Sequence, residues 1–134
     1  MSVFLDTSAF YALLVGTEER HAEVLDSVRS LAASRRTLWT TSYVVLETVV
    51  LMQRRIGMAP VRDFQENWIP LLTVEWVTSE LHARGMSHLL REDRRRLSLV
   101  DCVSMEFLRQ AGLREVVALD RHFAEAGFRL LPSG

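Results

Sequence analysis

Lysine is absent from the chain: all sixteen basic side chains among its 134 residues are arginine. Phosphoryl-handling sites that depend on a lysine, such as a P-loop, are excluded by that absence. A single cysteine, Cys102, rules out an internal disulfide framework and a cysteine-rich zinc site. It reads instead as a small core residue on a helix. No apolar run approaches the roughly 18 to 20 residues that a membrane span requires, and no basic region precedes the first apolar run. The expectation is a soluble, unprocessed, cytoplasmic protein with no membrane partner. The formal charge of −1 supplies no global basic field, so a polyanionic partner would have to be met by a local patch.

What is present has the balance of one compact domain spanning 1–134, with 49% hydrophobic and 25% charged residues. Val3-Phe4-Leu5 reads as a short buried strand carrying Asp6 at its end, with Thr7 and Ser8 suited to a turn or a helix start. Helical periodicity follows over 17–34, closed by Arg35-Arg36 near the negative end of the helix dipole. A strand at 37–40 precedes a helix capped by Thr41 or Ser42 and running to Arg55, with Gly57 beyond it. A helix over 60–72 is ended or kinked by Pro70, and an edge strand at 74–77 leads into a helix over 79–90. The polar stretch 91–96 reads as a loop. Ser98 caps a helix to Ala111 that Gly112 stops, and strands at 116–119 and 128–131 complete the chain. Strands alternating with helices predict an α/β fold, with a mostly parallel sheet of four to five strands flanked by helices.

Such sheets bind ligands outside the C-terminal ends of their strands, and two strands here deliver an aspartate to that edge. Val3-Phe4-Leu5-Asp6 and Val117-Ala118-Leu119-Asp120 share one design, an apolar strand whose first polar residue is a carboxylate. Singly, either aspartate is explained as a turn residue or helix cap. Glu47 sits in a helix with apolar residues on nearly every face, where an ionised carboxylate needs an arginine, a solvated cleft or a metal to compensate it. Asp101, three residues after Ser98, suits a capping box. Gathered at one edge, the four carboxylates would repel one another and raise one another's pKa unless a cation neutralised them. An oxygen-only ligand set of this kind suits Mg²⁺ or Mn²⁺, and the chemistry such an ion performs on a phosphodiester points to a nuclease.

The residues then match a known pattern. Val3-Phe4-Leu5-Asp6-Thr7-Ser8-Ala9, the segment Thr41 to Thr48 around Glu47, Leu97-Ser98-Leu99-Val100-Asp101-Cys102 and Ala118-Leu119-Asp120-Arg121-His122-Phe123 resemble, in order, the four motifs of PIN domains, and specifically those of VapC-type toxins from toxin-antitoxin pairs. The resemblance implies a PIN-like fold and an endoribonuclease. Asp6, Glu47, Asp101 and Asp120 would hold Mg²⁺ or Mn²⁺, and a metal-activated water would cut RNA in line. Thr7 and Ser8 would help position ligands. The resemblance also implies a homodimer and a small VapB-like antitoxin that inserts a segment into the acidic groove; Leu13, Leu14, Trp39 and Met58 are equally suited to such contacts or to the core. Many relatives carry a further acid shortly after the position of Asp120, where this chain has Arg121 and His122, so one metal ion is implied rather than two.

His122 could contact substrate or a metal, but reads better as a polar turn residue before the core anchor Phe123, and His21, His82 and His88 read as solvent-facing residues of amphipathic helices. Arginine clusters at 35–36, at 54–55 and at Arg91 with Arg94, Arg95 and Arg96 suit phosphate contacts, Arg94 and Arg95 foremost, and suit solvated helix ends equally well. A groove rimmed by two of the clusters would favour the phosphate role. Three other functions compete: a phosphoacceptor or phosphatase fold, which the missing lysine disfavours; a PIN-like binding module without catalysis; and a PIN nuclease for RNA processing or structured DNA.

Overall fold

A computed structural model describes residues 1–132. Its centre is a five-stranded, entirely parallel sheet of order β3-β2-β1-β4-β5. These strands are β1 (Ser2–Leu5), β2 (Thr37–Thr41), β3 (Thr73–Glu75), β4 (Glu115–Val117) and β5 (Arg129–Leu131). The fold class expected from the strand and helix alternation is the one observed. β1 is central because Val3, Phe4 and Leu5 are all fully buried, as a strand covered by helices on both faces requires. β3 occupies an edge, beside the exposed Trp76.

The covering helices are α1 (Thr7–Leu14), α2 (His21–Ala33), α3 (Ser42–Arg55), α4 (Met58–Asp63), α5 (Ser79–Glu92), α6 (Leu99–Ala111) and α7 (His122–Glu125). Phe10 of α1 meets Phe64 edge-on at 5.0 Å between ring centres, and Phe4 of β1 meets Phe107 of α6 at 6.0 Å. Gly85 lets α5 approach α6: a Cβ there would lie 2.3 Å from Val103 Cγ2. Gly112, at φ +70°, ends α6 in the left-handed conformation that favours glycine. The buried Thr40 hydroxyl donates to the Leu5 carbonyl at 2.9 Å, tying β2 to the end of β1. No helix among the described residues is long and apolar enough to cross a membrane.

Several elements differ from the sequence expectation. Of the turn or helix start expected at Thr7 and Ser8 the helix is observed, and it extends further than expected as α1, whose residues Thr7, Ala9, Phe10, Ala12 and Leu13 are buried. The single helix expected over 60–72 is three segments: α4, a π-helical turn (Phe64–Trp68) and a 3₁₀ turn (Ile69–Leu71) that holds Pro70. α5 continues through Arg91 and Glu92 into the expected loop, ending where Asp93 turns left-handed at φ 52°. The three histidines read as solvent-facing are engaged. His21 Nδ1 lies 2.7 Å from the Ala12 carbonyl, His82 Nδ1 lies 2.5 Å from the Tyr43 hydroxyl, and buried His88 contacts Glu106 at 2.9 Å. Leu13 belongs to the core and Leu14 and Trp39 pack against it, whereas Met58 is exposed. Cys102 is fully buried, as read.

Candidate functional site

In this strand order the chain leaves β1 toward β2 on one side, while β4 lies on the other. The switch point between β1 and β4 is where a parallel sheet opens a crevice at its C-terminal edge. Asp6 follows β1 and Asp120 lies just beyond β4. The two strand ends are tied together: the Asp6 amide donates to the Val117 carbonyl at 3.1 Å, and the Ser8 hydroxyl donates to Asp6 Oδ2 at 3.0 Å while accepting from the Leu119 amide at 2.9 Å. Asp101 arrives from the first turn of α6. Its amide donates to Ser98 Oγ at 3.0 Å, and its Oδ2 accepts from the Ser98 amide at 3.1 Å, closing the capping box read from the sequence. Asp6 likewise caps α1. Each capping role leaves a carboxylate held rigidly at the edge of the cleft.

Asp6, Glu47, Asp101 and Asp120 line one cleft of about 550 Å³ together with Thr7, Ser8, Tyr11, Arg55 and Arg96. Members of two arginine clusters therefore stand on its wall. Arg94 faces elsewhere, contacting Glu92 and Glu125 on a separate cavity. Arg95 lines neither space, and Arg36 pairs with Glu115, away from the cleft. Glu47 is half-buried rather than enclosed by apolar side chains.

Asp6, Glu47 and Asp101 resist ionisation. Burial pushes Asp6 up to about 7, with the Asp101 charge adding to it and hydrogen bonds from Thr7 and Ser8 opposing it. Burial also raises Asp101, which the Ser98 amide counters and Asp120 reinforces. Glu47 is raised by burial first and then by Asp101 and Asp120; the Thr7 hydroxyl close by opposes this without completing a well-directed hydrogen bond. Asp6 Oδ1 is buried and has no hydrogen-bond partner. An orphaned carboxylate oxygen among mutually repelling acids is the arrangement that a small divalent cation relieves, and the donor set fits one.

His122, read from the sequence as a turn residue in preference to a contact to substrate or a metal, touches two of these acids without itself lining the cleft. His122 Nδ1 lies 3.0 Å from Asp120 Oδ1 and 3.4 Å from Asp101 Oδ2. The donor atoms of Asp101, Asp120 and His122 all fall within 4.8 Å of one another. Sequence spacing could offer only the two-residue step from Asp120 to His122, which an ordinary turn explains.

Residues 3–129 match the PIN domain family model. The chain is 32% identical over 127 residues to the 23S rRNA-specific endonuclease VapC20 of Mycobacterium tuberculosis, covering 94% of this chain and 95% of that protein. The crystal structure of VapC20, described as a toxin that cleaves the sarcin-ricin loop, superposes with a TM-score of 0.80 at 33% identity, again over 94% and 95% of the two chains. VapBC2 from Rickettsia felis, bound to a promoter DNA fragment, shares the fold alone, with a TM-score of 0.72 at 10% identity over 97% of each chain. The chain belongs to the PIN-domain family, among its VapC-type members.

Proposed function

We propose that this chain is a divalent-metal-dependent endoribonuclease, the toxin of a toxin-antitoxin pair. The observation that carries the reading is the cleft at the β1/β4 switch point, where four carboxylates meet with one buried oxygen of Asp6 left unpartnered. Similarity to a 23S rRNA endonuclease, at 32% identity over 94% of this chain, supports RNA as substrate.

Asp6, Asp101, Glu47 and Asp120 would hold Mg²⁺ or Mn²⁺. A divalent cation, when bound, withdraws charge from the scissile phosphate and acidifies water for in-line attack. The chain's residues do the rest. Ser8 locks Asp6 to the end of β4 through Leu119, so the two strand-end acids keep one spacing. Ser98 fixes the Asp101 rotamer through the capping box. Arg55 and Arg96 line the cleft with the acids, and their guanidinium groups suit the phosphate oxygens of a bound strand. Thr7 and Ser8 line the same floor. Arg94 and Arg95, expected as substrate contacts, would meet RNA only along a longer path outside the cleft.

Self-association and an antitoxin belong to the same proposal. Leu46 and Val50 of α3 are exposed and line an apolar groove with Leu99 and Val100, which supports a homodimer. An arginine-bearing segment of a VapB-like antitoxin suits the acidic cleft, because a guanidinium can stand where the cation would.

The test is cleavage of purified RNA, 23S rRNA among the substrates, in Mg²⁺ or Mn²⁺. Cleavage that EDTA and Asp6→Asn both abolish is expected. Cleavage that persists in EDTA contradicts the reading.

A further inference from the structure

An all-oxygen account of the cleft leaves His122 without a role. Its Nδ1 is sealed from solvent and forms no hydrogen bond, although Asp120 Oδ1 and Asp101 Oδ2 lie 3.0 and 3.4 Å away. The contacts have the distance of an ion pair without the direction that an N–H donor requires. Two donors bound at about 2.1 Å to one ion, at right angles, stand roughly 3.0 Å apart. The separations around His122 are those of neighbouring ligands.

The site has a second, independent mark. Asp6, only 4% exposed, has an unpartnered Oδ1 in the cleft that Asp101 and Asp120 also line. His122 reaches Asp101 and Asp120, yet it makes no ion pair with Asp6 among the described residues. An imidazolium acting as a built-in counterion would therefore leave Asp6 uncompensated. The His122 amide also donates to Asp120 Oδ1 at 2.9 Å, so one turn holds the oxygen and the nitrogen in fixed relation.

We propose that His122 ligates the divalent cation of this cleft through Nδ1, beside Asp101 and Asp120, and that this nitrogen makes the site prefer Mn²⁺ over Mg²⁺. The inference rests on the reading of the cleft as a divalent-cation centre. Mg²⁺ is a hard ion that takes oxygen donors and keeps its waters, whereas imidazole binds the later divalent ions more readily. Ligation uses the neutral ring with the lone pair on Nδ1 and the proton on Nε2. His21, His82 and His88 are committed to Ala12, Tyr43 and Glu106, so none of them competes for the ion.

The experiment is electron paramagnetic resonance of Mn²⁺ titrated into the full chain, with Mg²⁺ as competitor and pulsed detection of nitrogen coupled to the bound ion. Wild type is expected to show imidazole ¹⁴N coupling that disappears in His122→Ala and His122→Asp. In His122→Asp the preference for Mn²⁺ over Mg²⁺ should fall roughly tenfold. Circular dichroism confirms that both variants are folded. Bound Mn²⁺ without imidazole coupling in wild type, or an ion preference unchanged in both variants, overturns the role of His122 and leaves the metal centre standing. Mn²⁺ affinity unmoved by Asp6→Asn and by Asp101→Asn overturns the metal centre itself, and the inference with it.

Discussion

Helix α6 carries acids on two sides, and they live in opposite circumstances. Toward α5 and α7, Glu106 accepts from His88 at 2.9 Å and from Arg109 at 3.3 Å, and Arg94 stands 3.3 Å from Glu92 and 3.8 Å from Glu125. Every acid lining that cavity of about 510 Å³ has a basic partner. At its first turn, the same helix presents Asp101 to a cleft where Asp6, Glu47 and Asp120 also gather, and no arginine among the described residues comes within ion-pair distance of any of them. Arg55 and Arg96 stand on the wall of that cleft yet do not neutralise it. Compensated charge holds helices together; uncompensated charge, kept in place by caps, is what a cation or a ligand completes.

Breaking each side separately should have unlike consequences. The largest effect belongs to the cleft: Asp101→Asn keeps an acceptor for the Ser98 amide, and should lower RNA cleavage roughly a hundredfold or more. Glu106→Gln should leave cleavage within about twofold of wild type under the same assay.

Stability should move in the reverse sense. Folded Asp6 holds its proton up to about pH 7 against 3.8 when unfolded, so its favourable contribution is complete below pH 3.8 and is lost as the pH rises through about 7. Asp6→Asn removes that loss. Denaturant unfolding of metal-free protein should show the variant more stable at pH 8, by up to about 4 kcal/mol, and equal to wild type below about pH 4. On the paired side, Glu106→Ala leaves buried His88 without its partner and should cost about 1 to 3 kcal/mol in the same measurement, with activity per folded molecule retained.

The smallest effects are expected at the arginines on the cleft wall. Arg55→Ala and Arg96→Ala should each raise KM a few-fold with kcat unchanged, and each should flatten the salt dependence of RNA binding by about one unit of slope. Arg94→Ala, on the paired side, should leave that slope unchanged.

The sheet was legible because apolar runs such as Val3-Phe4-Leu5 and Val116-Val117 alternate with helical periodicity, and parallel strands put their C-terminal residues on one edge. That Asp6, Glu47, Asp101 and Asp120 converge followed from the order of the motifs, and the capping box at Ser98 from local spacing alone. The rest was hidden for physical reasons. The extent of α1 was not legible beyond a possible helix start, because Thr7, Ala9, Phe10, Ala12 and Leu13 bury several faces of a short helix and leave no amphipathic stripe. His88 resembles a surface histidine until Glu106 arrives from another helix. The contact of His122 with Asp101 likewise joins α7 to the start of α6, which no local pattern announces.

The most direct test is thermal unfolding at pH 8 with and without Mn²⁺, in wild type and Asp6→Asn. If the unpaired acids form a cation site, Mn²⁺ should raise the Tm of wild type in a concentration-dependent way and leave the variant nearly unmoved. Equal shifts in both proteins, or none in wild type at millimolar Mn²⁺, would contradict the account.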